Sequence, residues 1–216
     1  MISAYIQLEE FEEAIDLSER VLETHGQEDR LWVLYADALQ RGDRLDDAIT
    51  ALDRVREINP DHPSAALRQG NWLIQAGRIQ DAVDVLADAA ANNPEQAERA
   101  ARMIFADAYQ NGYEKSDYAY SIAGMSAAKR LPNLSESMLS QLNFWHGFSI
   151  HRGAVLEQEA QTLPTAQVTL PKFLQARDLL NQSGDYPASV SLDLAQLLEN
   201  IATYIEIQEA IIKRGD

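Results

Sequence analysis

Glu13-Ala14-Ile15-Asp16, Asp47-Ala48-Ile49-Thr50 and Asp81-Ala82-Val83-Asp84 repeat one short pattern at a spacing of 34 residues. Self-similarity with a period between about 20 and 50 residues marks a chain built from copies of one supersecondary unit. Tyr5, Leu39 and Leu73 fall on the same lattice, as do Val21, Val55 and Ala89, and Pro60 and Pro94 close successive units. Within each unit a glycine or polar break separates two apolar-periodic stretches of about a dozen residues, which reads as a helix, a short turn and a second helix. The alanine at positions 14, 48 and 82 has a physical reason. Two helices that cross closely need a side chain no larger than a methyl group at the crossing.

The rest of the composition agrees with such a chain and narrows what it can do. Its 216 residues hold 18 Lys plus Arg against 34 Asp plus Glu, a net charge of −16, and the hydrophobic fraction of 46% supports a buried core. This charge repels the phosphate backbone and anionic lipid surfaces, so nucleic acid is not an expected partner. The absence of Cys removes disulfides, thiolate metal sites and thiol nucleophiles. No apolar run reaches the roughly 18 residues of a membrane span, and the start Met1-Ile2-Ser3-Ala4-Tyr5 lacks a secretory signal pattern, so membrane insertion is not expected and the compartment is cytoplasmic by default. The acidity is concentrated at the front: residues 1–96 carry 8 basic and 20 acidic side chains, residues 97–216 carry 10 and 14.

The 34-residue unit resembles the tetratricopeptide repeat, whose Trp, Leu, Gly, Tyr, Gly, Ala and Pro stand at fixed places. Trp32, Ala36, Leu39, Ala48, Leu52, Val55 and Pro60 fill those places in residues 29–62, and Gly70, Leu73, Gly77, Ala82, Leu86, Ala89 and Pro94 fill them in residues 63–96. Gly42 arrives one residue early, and Gln69 stands where an apolar residue is usual. The resemblance implies an all-α fold, a right-handed α-α superhelix of the tetratricopeptide solenoid type. Residues 1–28 form a partial unit in which Met1 lands at the seventh position, which implies an array cut from a longer repeat protein, with a shortened capping helix as the alternative. Residues 97–133 read as a divergent unit slipped by two residues, with Phe105, Ala106 and Tyr109 on its first helix and Ala119, Ala123 and Ala127 on the close-packed face of its second. Residues 134–184 read as a helix pair with an insertion, broken at Gly153 and resuming near Thr165. Asn181 to Ala188 reads as a loop. Residues 185–216 then supply a C-terminal capping helix with Val190, Leu194, Leu197, Leu198, Ile201, Ile205 and Ile212 on one stripe.

The candidates for chemistry are few. His146 and His151 are five residues apart, which is not the i, i+4 spacing of a two-histidine zinc site, and His62 sits in an inter-repeat turn. Glu9, Glu10, Glu12 and Glu13 cluster at a helix start, where acids complement the helix dipole. No phosphate-cradling loop or nucleophile elbow appears, so the expectation is a non-enzymatic protein with no cofactor, no metal and no catalytic residue. The aromatic run Asn143-Phe144-Trp145-His146-Gly147-Phe148 reads as core, except that Phe148 falls in a slot that faces the inner groove.

That groove is what the resemblance implies for function: an interaction scaffold whose first helices line a concave surface for a partner protein or peptide. Its slots are Val33, Leu67 and Met103 in an apolar row, with Asp37, Asn71 and Asp107 and then Arg41, Gln75 and Asn111 in polar rows. Amide side chains pair with both the donor and the acceptor of a peptide backbone. The family branch that clamps acidic chaperone tails uses basic residues where this chain has Val33, Leu67 and Met103, so it does not fit. A second reading is self-assembly into a homo-oligomer, with Phe11, Ile15 and Leu22 covered by another copy or by an upstream repeat. A third is a small-molecule binder near Trp145.

Overall fold

Each helix pair is closed by a turn that the local backbone dictates, and the turns keep the period of the sequence. In the computed structural model, which describes residues 1–62, 64–91, 93–186 and 193–215, Glu9, Asp43 and Gly77 all adopt the left-handed conformation, with φ of 62°, 60° and 74°. They stand 34 residues apart. Around each, the next residue's N–H reaches back to a helix carbonyl: Glu10 to Tyr5 at 2.9 Å, Arg44 to Leu39 at 2.8 Å and Arg78 to Leu73 at 2.8 Å. The left-handed residue itself donates to Ile6, Gln40 and Ile74 in turn. This is the Schellman closure, which satisfies the last carbonyls of one helix and reverses the chain into the next. It also explains the early glycine, because Asp43 takes the left-handed position and Gly42 precedes it at the helix end.

Among the described residues every regular element is helical, as the repeat pattern implies. The chain forms two compact units, residues 1–96 and 97–216. The first holds α1 (Ile2–Gln7), α2 (Phe11–His25), α3 (Asp29–Arg41), α4 (Leu45–Ile58), α5 (Ala65–Gln75) and α6 (Ile79–Ala91), and each helix packs on the next. Ala14, Ala48 and Ala82 are fully buried, with Ile15, Leu39, Leu52, Leu73 and Leu86 around them. A Cβ added to Gly70 would lie 2.6 Å from Leu86, so α5 and α6 meet more closely than an alanine permits. Gln69 is buried at an apolar slot, but its amide donates to the Ile49 carbonyl at 3.2 Å and to Asp53 at 2.6 Å, while its oxygen accepts from Arg56. A buried amide so satisfied carries little penalty.

The second unit departs from the period. After α7 (Pro94–Asp107), which begins within the first unit's range, a π-helical turn runs over Ala108–Tyr113. The same Schellman closure follows, with Ser116 at φ 61° and the Asp117 N–H on the Gly112 carbonyl at 2.9 Å. It comes five residues later than the period places it, so the slip is larger than the two residues the sequence suggests. Next come α8 (Tyr118–Ala128), α9 (Glu136–Glu157), a short 3-10 turn at Gln158–Ala160, α10 (Leu163–Asn181) and α11 (Leu194–Arg214).

Several local expectations change here. Ala119 and Ala123 are exposed; α8 buries Tyr118, Ser121, Gly124, Met125, Ala127 and Ala128 instead, because Gly124 is the residue set against Ala108, 2.5 Å from its Cβ to where a Cβ would stand. Gly153 does not break its helix: α9 runs through it for 22 residues, and the extra length of this unit lies in that helix and the 3-10 turn. On α11 the buried positions are Ile201, Ile205, Gln208 and Ile211, one residue before the expected Ile212, while Val190 lies outside the described residues. That helix packs along α10 as a terminal cover.

Candidate partner-binding faces

Helices α3 and α5 carry the expected groove positions of the first unit. Asp37 on α3 is half-buried and forms an ion pair with Arg68 of α5, whose guanidinium lies 5.3 Å from the centre of the Trp72 ring. The carboxylate expected to be offered to a partner is therefore already matched by a cation. Val33 is half-buried, and Leu67 is only 6% exposed, so Leu67 belongs to the core and not to an open apolar row. Arg41, Asn71 and Gln75 are exposed. The accessible part of this face is thus a pair of amides on one turn and a half of α5, with Arg41 at the end of α3.

The second unit presents a different surface. Asp107 accepts from the Tyr120 hydroxyl at 2.6 Å and from the Asn111 amide at 2.8 Å, and Lys115 donates to Asn111 at 2.6 Å. The Tyr120 proton is held to about 12 by burial and by that bond to Asp107. Asp107 thereby ties α7 to the second helix of its own pair, which a strict 34-residue count could not reveal once the π-turn had shifted the lattice. Asn111 is exposed but engaged, and Met103 is half-buried.

Aromatic rings fill the remainder. Phe105, Tyr109 and Tyr113 stack along α7 and the π-turn, with centroids 6.0 Å and 5.5 Å apart. From α9, Trp145 meets Tyr113 edge-on at 5.0 Å and Phe148 stacks on it at 5.6 Å. Phe144 and Trp145 are core, and the Trp145 indole N–H donates to the Tyr186 hydroxyl at 3.0 Å. Phe148 is half-buried. Two features of this cluster have no counterpart in the pattern of the sequence. The π-turn sets Tyr109 and Tyr113 nearly parallel, 18° apart, and Arg152, one turn beyond Phe148, is exposed beside Tyr118.

His146 and His151 are buried beneath these rings at 6% and 7% exposed, and neither Nδ1 has a hydrogen-bond partner. Burial, with a smaller push from Lys129 and Arg152 respectively, lowers both to about 4, so both are neutral imidazoles at neutral pH. They pack as core histidines. His151 lies between Phe148, Phe173 and Tyr204. Among the described residues no group of three His, Asp or Glu side chains is arranged to hold a metal ion, and no helix is long and apolar enough to cross a membrane.

Paired helices closed by repeated Schellman turns define a helix-pair repeat protein. Residues 5–70 match the family model of the tetratricopeptide repeat. No curated protein matches the chain. Two solved structures are similar, "MamA RS-1 ArsTM double mutant" and "MamA 41-end from Desulfovibrio magneticus RS-1". Each is 19% identical, with 85% of this chain and 93% of the other covered, at TM-scores of 0.46 and 0.45.

Proposed function

We propose that this protein is a non-enzymatic scaffold that holds a partner protein or peptide against the first helices of its repeats. The observation that carries the reading is the tetratricopeptide match over residues 5–70, joined to an α5 that leaves Asn71 and Gln75 exposed while everything beneath them is packed. Neighbouring amides that donate and accept are suited to the main chain of an extended segment, which presents the same groups at every residue. Because Asp37 is paired with Arg68, recognition in this unit rests on amides and on Arg41 more than on unbalanced acid. The aromatic row of the second unit offers apolar side chains a separate place to bury.

The test uses the intact chain as bait in extracts of the cells that make it. Asn71→Ala with Gln75→Ala should release the captured partner while circular dichroism stays unchanged. Asp16→Ala, on the exposed outer face of α2, should not. Equal capture by all three proteins overturns the assignment of the binding face to α5.

A further inference from the structure

Arg152 is the point at which the aromatic row of the second unit stops being apolar. It lies four residues after Phe148 on α9, so the two side chains share one face about one helical turn, or about 5.4 Å, apart. Phe105, Tyr109, Tyr113 and Phe148 stack one on the next toward it, and each of these rings is only half-buried. The groups that act on the Arg152 charge are phenols: Tyr118, which bonds to the guanidinium, then Tyr113 and Tyr204. No carboxylate is among them. Four arginines of the first unit are placed otherwise, for Arg44, Arg56, Arg68 and Arg78 each reach an Asp. Arg152 is thus an exposed cation, set at the end of a row of open rings, whose neighbours leave its charge unbalanced.

Charge selects the occupant. A guanidinium offers five N–H donors in a planar fork and no acceptor, and the bond to Tyr118 leaves most of that fork open. A second cation would be repelled, and an apolar side chain laid over Arg152 would desolvate it without a partner. A carboxylate, with two oxygens, fits the fork and forms charge-assisted bonds with it. The 10 bases and 14 acids of residues 97–216 also oppose an acidic ligand less than the 8 and 20 of residues 1–96. The rings decide what carries the carboxylate. An extended chain rises about 3.3 Å per residue and turns alternate side chains to one side, so residues two apart stand about 6.6 Å from one another, close to the helical turn that separates Phe148 from Arg152. We propose that Arg152, with the rings of Tyr113 and Phe148, is a docking site for an extended segment of a partner protein that carries an apolar side chain and, two residues away, an Asp or Glu. The site rests on the scaffold reading above and adds to it a second contact, in the second unit, with a stated preference.

Selection of a phage-displayed library of random heptapeptides on the intact chain is the experiment. Enriched peptides should carry Asp or Glu two residues from an aromatic residue or Leu. The enriched peptide, and the same peptide with its acid replaced by the amide, are then titrated by fluorescence anisotropy against the wild type, Arg152→Gln and Arg130→Gln. The amide should weaken binding to the wild type at least about tenfold and make no difference to Arg152→Gln, in which the interaction is already gone. Arg130→Gln, at an exposed base of the same unit, should bind the acidic peptide as the wild type does. The exchange in the peptide alters no residue of the protein, so its effect on the wild type is read whatever Arg152→Gln does to the fold. A selection that enriches no peptide, or only peptides without an acid, overturns the site. So does an amide peptide that binds the wild type equally well, or an acid preference that survives Arg152→Gln or is lost in Arg130→Gln. None of these results touches the α5 face, which stands or falls with Asn71→Ala and Gln75→Ala.

Discussion

In residues 1–96 the second helices α2, α4 and α6 bury Ala14, Ala48 and Ala82 and turn rows of Asp and Glu outward, so one recipe is written three times. In residues 97–216 no such recipe is kept. There three helices run to 22, 19 and 21 residues, a π-turn interrupts the first pair, and the space between helices is filled by Tyr109, Tyr113, Phe144, Trp145, Phe148 and Phe173. The difference teaches how a repeat can be abandoned without losing the core. A regular lattice needs only small residues at each crossing, because every crossing has the same geometry. Irregular crossings leave irregular gaps, and flat rings that stack or meet edge-on fill such gaps at a gain beyond their buried area.

The largest expected contrast between the two units is in acid. His146 and His151 sit at about 4 in the folded second unit, below the ordinary value of 6.5. The unfolded chain therefore binds their protons first, and stability falls as the pH drops from 6.5 towards 4, then levels. On that span each histidine removes on the order of 2 kcal/mol by pH 5. Hydrogen exchange followed between pH 7 and 5 should show protection lost from α9 and α10 before α3 to α6. Equal loss in both units would break the contrast, and His146→Phe should reduce the slope if the attribution is right.

Next in size is the effect of one methyl group at two glycines. A Cβ on Gly112 would stand 2.6 Å from the Ser121 backbone nitrogen and 2.7 Å from its Cα, whereas the atoms nearest one on Gly70 belong to the Leu86 side chain, at 2.6–2.8 Å. Backbone cannot rotate away, and a leucine can. Gly112→Ala should cost roughly 2–3 kcal/mol in chemical denaturation, and Gly70→Ala distinctly less, within the range of overpacked cores. A reversal of that order would mean that the π-turn yields more easily than the α5–α6 joint.

The same contrast decides how much of the molecule can be read from its residues. The lattice Ala14, Ala48, Ala82 and Tyr5, Leu39, Leu73 is legible because local helix and turn preferences agree with the tertiary packing at every repeat. Asn71 and Gln75 could be placed on an exposed helix face for that reason. The partner of Asp107 could not, because Tyr120 lies beyond a π-turn that adds residues without any sequence mark, and the count that assigns slots fails after it. Ala119, Ala123 and Ala127 look like a close-packed stripe, yet Gly124 makes the crossing, since a still smaller residue was available one position on. The Asp37–Arg68 pair joins residues 31 apart through a side-chain reach that no periodicity encodes.

Within the regular unit, Ala82→Leu tests the crossing itself. Ala82 is fully buried, and the larger side chain should lower stability by roughly 1–3 kcal/mol. Ala123→Leu, at the exposed position on α8 that shares the alanine pattern, should change the stability of the monomer by only about 0.5 kcal/mol. Thermal melts of the two variants, compared with the wild type, check the distinction between a small residue that is needed and one that merely looks alike.

The smallest effect runs the other way. Glu9, Asp43 and Gly77 adopt the same left-handed backbone at the same place in three turns, but the residue that bears this conformation without a steric penalty stands only at position 77. For an L-residue with a Cβ the conformation costs roughly 1–2 kcal/mol, and Asp softens it by local hydrogen bonding more readily than Glu. Replacing Glu9 with glycine removes that cost and returns part of it as entropy gained by the unfolded chain, about 0.4–1 kcal/mol. The Glu10 to Tyr5 closure stays, since it uses main-chain atoms alone. Glu9→Gly should therefore raise the melting temperature of the first unit slightly, Asp43→Gly by less, and Gly77→Ala should lower it. A melt in which Glu9→Gly destabilises would show that the Glu9 side chain holds its turn in some way that the shared backbone geometry of positions 9, 43 and 77 does not express.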